Sequence, residues 1–261
     1  MSSVFLYGDV TENFDTLSIP FVRASGGHRA RIALLMLPHS ERYERRYREA
    51  WLKAGAGEVT AICPPTRLIL TRDQLQTLRQ STGVFMSGGR TALYQRIYGS
   101  KVVSSLIREL HDSGVPYGGV SAGAKMAFEH CSVGGAIVRS RTNEFQLASE
   151  DYVKNYQRNF PKDWARPEVR NGLGLVENCV LEPHFTEWGF FPRLMEAMRL
   201  TNSRFGIGLD GPTCLELHRE SKGTIRGRGR LYFFVGAIKQ TKGSMVRVRA
   251  YEPGSHFELL W

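Results

Sequence analysis

The stretch Val115-Pro116-Tyr117-Gly118-Gly119-Val120-Ser121-Ala122-Gly123-Ala124-Lys125-Met126 passes from an apolar, strand-like run to a helix-forming run in one step at Ser121. Gly119, Ser121 and Gly123 make the pattern G-x-S-x-G. That pattern places a serine on a sharp strand-to-helix turn, with its hydroxyl lifted clear of the sheet. Small residues on both sides let strand and helix approach without collision. The backbone N–H of Ala122, at the start of the helix, then points to where negative charge would develop on an attacked carbonyl. Ser121 is therefore the candidate nucleophile.

Outward from this turn, strand and helix patterns alternate. Val4 to Tyr7 and the IALLML run from Ile32 read as strands, and Ser40 to Ala54 as a charged amphipathic helix. Val59 to Cys63 is a strand, and a helix begins at Thr71, where Thr71 and Gln74 have capping-box spacing. Val84 to Met86 is a strand, Ala92 to Asp112 one long helix closed by Gly114, and Val115 to Val120 a strand. Leu173 to Leu181 reads as a strand and Trp188 to Leu200 as a helix. From Phe205 the pattern is strand after strand. The expected fold class is α/β, a mostly parallel sheet flanked by helices, with a β-rich C-terminal part. A single domain of 1–261 is expected, with 139–170 an insertion and 218–261 a basic β-rich edge.

Two other turns close strands in the same way. Ser87-Gly88-Gly89-Arg90 offers bare backbone amides, and Gly89 is the candidate second oxyanion donor beside Ala122. Taken alone it also reads as a plain tight turn. Leu181-Glu182-Pro183-His184 follows an apolar strand and puts one of seven histidines at a strand end. His184 is thereby the candidate base.

FMSGGRTAL, GGVSAGA, LGLVENCVLEPHFTEWGFFPRLMEAM and FGIGLDGPTCLEL occur in that order. Together they resemble the cyanophycinase and dipeptidase E family of serine peptidases, from the first strand to about Leu217. The resemblance implies the fold of the class I glutamine amidotransferases, with serine in place of their cysteine. It implies Ser121 as nucleophile, His184 as base, Gly89 and Ala122 as oxyanion donors, and neither metal nor organic cofactor. Members of the family cleave beside aspartate, in dipeptides or in cyanophycin.

The chain departs from this pattern at two places. Where cyanophycinases carry G-I-G-I-D-E, this sequence reads Gly206-Ile207-Gly208-Leu209-Asp210-Gly211, so the glutamate that orients the histidine is replaced by Gly211. Asp210 stands slightly ahead of Glu182 as the replacement acid, with Glu187 and Glu216 behind them. The substrate-binding candidates are Arg90, Thr91, Glu182, Glu187, Trp188 and Arg193; they differ from the family's arginine-rich set. Trp188, Phe190 and Phe191 suit an apolar group or form the core face of a helix. The expectation is a serine peptidase or amidohydrolase acting on a small or modified peptide, with cyanophycin itself not the expected substrate. Two alternatives stand beside it. One is a catalytically impaired binding protein on the same scaffold. The other is an esterase of α/β-hydrolase type, with His218 or His256 as base.

Bulk properties bound the rest. The net charge is +10, and from Arg219 to Arg249 nine basic residues face one acid, Glu220. Tyr232, Phe233 and Phe234 form one block and are not interleaved with the basic residues as a base-stacking surface would be. Basic side chains guarding a sheet edge explain the charge better than nucleic acid does. Cys63, Cys131, Cys179 and Cys214 form no C-x-x-C pair. There is no signal-peptide pattern at Met1 to Gly8 and no apolar run long enough to span a bilayer, so a cytoplasmic protein is expected. The expected partner is a peptide or peptide-like small molecule, with a homodimer left open.

Overall fold

The computed structural model describes residues 2–10, 13–65, 68–134, 168–218, 222–236 and 245–258. The first half contains strands β1 (Val4–Tyr7), β2 (Arg31–Leu35), β3 (Glu58–Ile62), β4 (Gly83–Met86) and β5 (Tyr117–Val120). Its helices are α1 (Phe14–Leu17), α2 (Ile19–Ala24), α3 (Glu44–Lys53), α4 (Arg72–Arg79), α5 (Thr91–Tyr98), α6 (Lys101–Asp112) and α7 (Ala122–Met126). The second half contains β6 (His130–Gly134), β7 (Glu168–Asn171), β8 (Cys179–Pro183), α8 (Phe191–Thr201), β9 (Phe205–Leu209), β10 (Thr213–Leu217), β11 (Lys222–Gly227), β12 (Leu231–Val235), β13 (Arg247–Tyr251) and β14 (His256–Glu258).

The main sheet runs β14-β11-β10-β1-β5-β4-β2-β3. From β1 to β3 all neighbours are parallel, and β10, β11 and β14 extend the sheet antiparallel beyond β1. The mostly parallel α/β sheet with a β-rich C-terminal part is thus the observed fold class. Both faces are covered, as a parallel sheet requires. Along β1 the side chains alternate: Val4 and Leu6 enter one core cluster, Phe5 and Tyr7 the other. The second cluster is rich in rings. Phe85, fully buried, meets Tyr7, Phe14, Phe21, Tyr47 and Trp51 within 6.2 Å between centroids.

A separate sheet, β13-β12-β9-β8, packs over the first cluster, to which it contributes Leu181, Ile207 and Leu209. Its outer face, with Val180, Phe185 and Phe234, is covered by Leu194 and Met198 of α8. The later strands therefore divide between an extension of the main sheet and a second sheet. The strand before His184 belongs to the second. In the β12 aromatic block, Phe233 and Phe234 point into two different cores.

Three element expectations change. The single helix over 92–112 is two helices, α5 and α6, broken at Gly99 and Ser100. Ser100 has extended backbone (φ −58°, ψ 143°), and a Cβ on Gly99 would stand 2.4 Å from the Gln95 carbonyl oxygen. The helix expected from Trp188 starts instead at Phe191. Gly189 takes φ 63°, and Pro192 in the first turn suits a helix start rather than an interior. The strand expected over 173–181 forms only from Cys179. The capping box at Thr71 and Gln74 is present in full. Most of the expected insertion, 139–167, lies outside the described residues. Its last part lies in β7, paired with β6.

Candidate active site

Ser121 ends β5 and opens α7 with φ 54° and ψ −112°, a backbone conformation that side-chain-bearing residues rarely adopt. It is held there from both sides. Its N–H donates to the Tyr7 carbonyl at 2.9 Å, and its own carbonyl accepts from the Lys125 N–H at 3.1 Å. The flanking glycines are required by contact. A Cβ on Gly119 would lie 2.4 Å from the Gly123 carbonyl oxygen, and one on Gly123 only 2.1 Å from that of Met86. Strand, turn and helix meet backbone to backbone, so the G-x-S-x-G spacing is a packing condition as well as a pattern.

His184 follows β8 and also takes a left-handed backbone, φ 53°. Its Nε2 lies 2.9 Å from Ser121 Oγ, a hydrogen bond between groups 63 residues apart. The imidazole is buried and stacks on the Trp188 indole at 4.4 Å between centroids and 14° between planes. The Trp188 N–H in turn donates to the His184 carbonyl at 3.0 Å. The other ring nitrogen, Nδ1, faces Asp9 Oδ2 at 3.7 Å.

The structure does not bring Asp210 to the imidazole. Its carboxylate accepts from the Thr186 N–H and hydroxyl and from the Arg230 N–H, at 3.2, 2.7 and 3.1 Å, and so ties down the loop after His184. Glu182 is not on the imidazole either. It is fully buried and bonded to Arg193 and Ser132, with Lys125 Nζ at 3.5 Å. In a strand, successive side chains point to opposite faces. Glu182 and His184 share a parity, but the left-handed turn at His184 separates their directions. Glu182 and Arg193, both expected as substrate contacts, are paired with each other inside the protein. Arg193 also lies over the Phe190 ring at 3.4 Å, and Phe190 is core rather than pocket wall. Glu187 accepts from the Gly211 N–H at 2.7 Å. Glu216 pairs with Arg226 on the main sheet.

On the open side of Ser121 lie the exposed Gly89 and Arg90, with Gly88 next to them. A Cβ on Gly88 would stand 3.4 Å from Ser121 Cβ, which brings this turn against the serine. Thr91 is buried at the start of α5. Trp188, 38% exposed, is the aromatic of its group that reaches the surface beside the base. His218 and His256 are engaged elsewhere, on Ser3 and Thr224 respectively. Two neighbours of the site escaped the sequence reading. Asp9 carries no motif of its own, and Lys125 looked like one basic residue of an ordinary helix.

The electrostatics favour a neutral base. Burial, then the cations Arg193 and Lys125, hold the His184 imidazole below its ordinary pKa, while Asp9 and Glu182 oppose the shift. Burial, reinforced by Arg193, pushes the Lys125 ammonium down to about 8 against the pull of Glu182. Burial alone would raise Glu182, but Arg193 and Lys125 outweigh it and hold the carboxyl low. Burial and the nearby charges of Asp210 and Asp9 hold Glu187 above the usual carboxylate range, against two backbone hydrogen bonds. Among the described residues no three His, Cys, Asp or Glu side chains converge as a metal site, and no helix is long and apolar enough to cross a membrane.

A half-buried serine–histidine pair on two strained turns invites comparison with known hydrolases. Residues 33–145, which run from β2 through Ser121, match the family model of Peptidase family S51. The match covers less than half of the chain. Relatives within reach of its sequence are cyanophycinases. That of Geminocystis herdmanii is 24% identical over 236 residues, 87% of this chain and 78% of the relative. That of Trichormus variabilis is 25% identical over 210 residues, 80% of this chain and 63% of the relative. The chain spans about half, 51%, of the Synechococcus elongatus cyanophycinase. In fold it is similar to a peptidase from an acI-B1 Actinobacterium. The TM-score there is 0.63 at 18% identity, covering 99% of this chain and 97% of the other. A candidate peptidase E protein from Listeria monocytogenes EGD-e gives 0.56 at 15% identity, over 88% and 100%.

Proposed function

We propose that this chain is a serine peptidase or amidohydrolase of the S51 kind, working through an acyl-enzyme. The observation that carries the reading is the 2.9 Å contact between Ser121 Oγ and His184 Nε2, made from two left-handed backbone positions. Strain of this kind persists where the surrounding structure over-determines it, and it clusters at reactive sites. Ser121 Oγ attacks the scissile carbonyl carbon while His184 Nε2 takes the hydroxyl proton. The amide N–H groups of Gly89 and Ala122 receive the developing oxyanion. The intermediate then collapses, and the imidazolium gives its proton to the leaving amine. Water, deprotonated by His184, hydrolyses the acyl-serine.

The substrate we infer is a small or modified peptide, taken with a specificity unlike that of the cyanophycinases. Arg193 is committed to Glu182 inside the protein. The exposed residues that follow the Gly88-Gly89 turn and His184 along the chain include Arg90, Glu187 and Trp188, the last stacked on the imidazole. That rim accepts a mixed polar and aromatic ligand better than a uniformly basic one would. Esterase chemistry with His218 or His256 finds no support, since both are bonded away from Ser121.

Labelling with a fluorophosphonate tests the reading. Wild type should label covalently, Ser121→Ala not at all, and His184→Ala at a rate lower by about 10²-fold or more. Wild type labelling no faster than Ser121→Ala, while a control hydrolase reacts, would overturn it and favour a binding protein on a peptidase scaffold.

A further inference from the structure

We propose that Asp9, at the end of β1, is the residue that positions the His184 imidazole, a role that rests on the reading of Ser121 and His184 given above. The carboxylates proposed from sequence are all committed elsewhere: Asp210 to Thr186 and Arg230, Glu182 to Arg193, Lys125 and Ser132, Glu187 to the Gly211 amide, and Glu216 to Arg226. Asp9 alone among these acids places an oxygen opposite Nδ1, at 3.7 Å. Its partner nitrogen is the one that does not face Ser121.

The backbone brings it there. β1 is the strand beside β5, so its end reaches the same edge of the sheet as Ser121; Tyr7 lies opposite Val120 in the register. Beyond Tyr7 the chain is clasped against the turn that joins the second sheet to the main one. The Gly8 N–H donates to the Thr213 carbonyl at 2.9 Å and the Asp9 N–H to that of Gly211 at 2.8 Å. A Cβ on Gly8 would lie 2.0 Å from the Asp210 carbonyl oxygen, so the two segments are in direct backbone contact. Gly211 presents no side chain to this corner, and the nearest heavy atoms around its Cβ position are Glu187 Oε1 and, at 3.6 Å, Asp9 Cβ. One Asp9 oxygen accepts from the Val10 N–H at 2.7 Å, which fixes the carboxylate and leaves Oδ2 toward the ring.

A separation of 3.7 Å is an ion-pair distance rather than a hydrogen bond. Such contacts in unliganded sites tighten as charge develops. A carboxylate facing Nδ1 favours the tautomer with its proton on Nδ1, which leaves the Nε2 lone pair for the Ser121 hydroxyl. It also stabilises the imidazolium that forms on attack. The groups facing His184 are Asp9 from the segment after β1, Lys125 from α7, Glu182 from β8 and Arg193 from α8. The last three neutralise one another to a net positive charge. Asp9 supplies the negative charge that the imidazolium then lacks. The Asp9 side chain is half exposed, so its effect is smaller than that of a buried acid.

The test compares Asp9→Asn and Asp9→Glu with wild type in two measurements. Asp9→Asn keeps the Val10 contact and the shape but removes the charge. Its fluorophosphonate labelling of Ser121 should slow by about ten- to hundred-fold, well short of the loss seen when a fully buried acid is replaced, while Asp9→Glu stays within a few-fold of wild type. A nitrogen-detected NMR titration of His184 should show the imidazole titrating at lower pH in Asp9→Asn, with less of the Nδ1–H tautomer. Labelling at the wild-type rate, or an unmoved titration and tautomer ratio, would overturn the proposal. If wild type itself fails to label, the reading of the site falls, and the titration still decides whether Asp9 holds the ring.

Discussion

Replacing Glu182 by Gln removes the one negative charge from a buried group of three ions. The side chains of Glu182, Lys125 and Arg193 are 1%, 5% and 12% exposed. At 3.5 Å and an effective dielectric constant of about 20, the Lys125–Glu182 attraction alone is about 5 kcal/mol before desolvation is counted. Breaking a buried pair by removing one partner typically destabilises by about 3–5 kcal/mol, because an uncompensated charge remains. Lys125 provides a partial escape: its pKa is already down to about 8 and falls further without Glu182, so it can shed its proton. The deficit of Glu182→Gln should therefore be largest near pH 6. At pH 9 it should be smaller, since Lys125 is then largely neutral in the folded form of both proteins and only the Arg193 interaction is missing. Urea unfolding at the two pH values measures this. With a slope of about 2–3 kcal/mol/M for a chain of this size, the midpoint at pH 6 should fall by about 1–2 M. Lys125→Met combined with Glu182→Gln should recover part of the loss. A deficit below about 1 kcal/mol at pH 6, or one that grows toward pH 9, would refute the reasoning. The same bolt joins the helix behind Ser121 to the strand before His184, so labelling of Ser121 should slow in Glu182→Gln even where the protein is fully folded.

Gly123→Ala puts a methyl group 2.1 Å from the Met86 carbonyl oxygen, so thermal unfolding should show a loss of about 1–3 kcal/mol together with slower labelling of Ser121. Because burial and two cations hold the His184 pKa low, the base is already neutral below the ordinary histidine value, and the acid limb of the labelling rate should fall there. A limb above the ordinary value would contradict the electrostatics described. Cys131, Cys179 and Cys214 are buried with raised pKa values, and burial and Glu41 push half-buried Cys63 to about 11. A thiol reagent at pH 7.5 should therefore react slowly with Cys63 and with the other three only after denaturation.

Much of the molecule is legible along the chain. Period-two alternation and apolar runs place β1 to β5, because a strand buried on both faces must be apolar throughout, as Val4–Tyr7 is. The turn at Ser121 is legible because only glycine fits where backbone meets backbone at positions 119 and 123. His184 is legible because it closes an apolar strand. The break at Gly99 was hidden, since one glycine within an otherwise helical pattern is often tolerated. The start of α8 was hidden by the apolar aromatics before it, which belong to a turn.

The acid partner of the imidazole shows where local pattern stops. Sequence spacing favours Asp210 and Glu182, which lie near His184 along the chain or along a neighbouring strand. In the folded protein each is claimed by closer partners: backbone amides and Thr186 for one, two buried cations for the other. Asp9 is 175 residues away from His184 and follows β1, a strand of a different sheet from β8. Its approach depends on how the second sheet docks against the end of β1. That docking is set by packing summed over Leu181, Ile207, Leu209 and their neighbours in the core. The amino-acid sequence by itself determined β1 to β5, the strained serine turn and the histidine that could serve it. Only the tertiary structure decided which charges surround that histidine, because side-chain pairing across two sheets follows from their relative placement and not from any period in the chain.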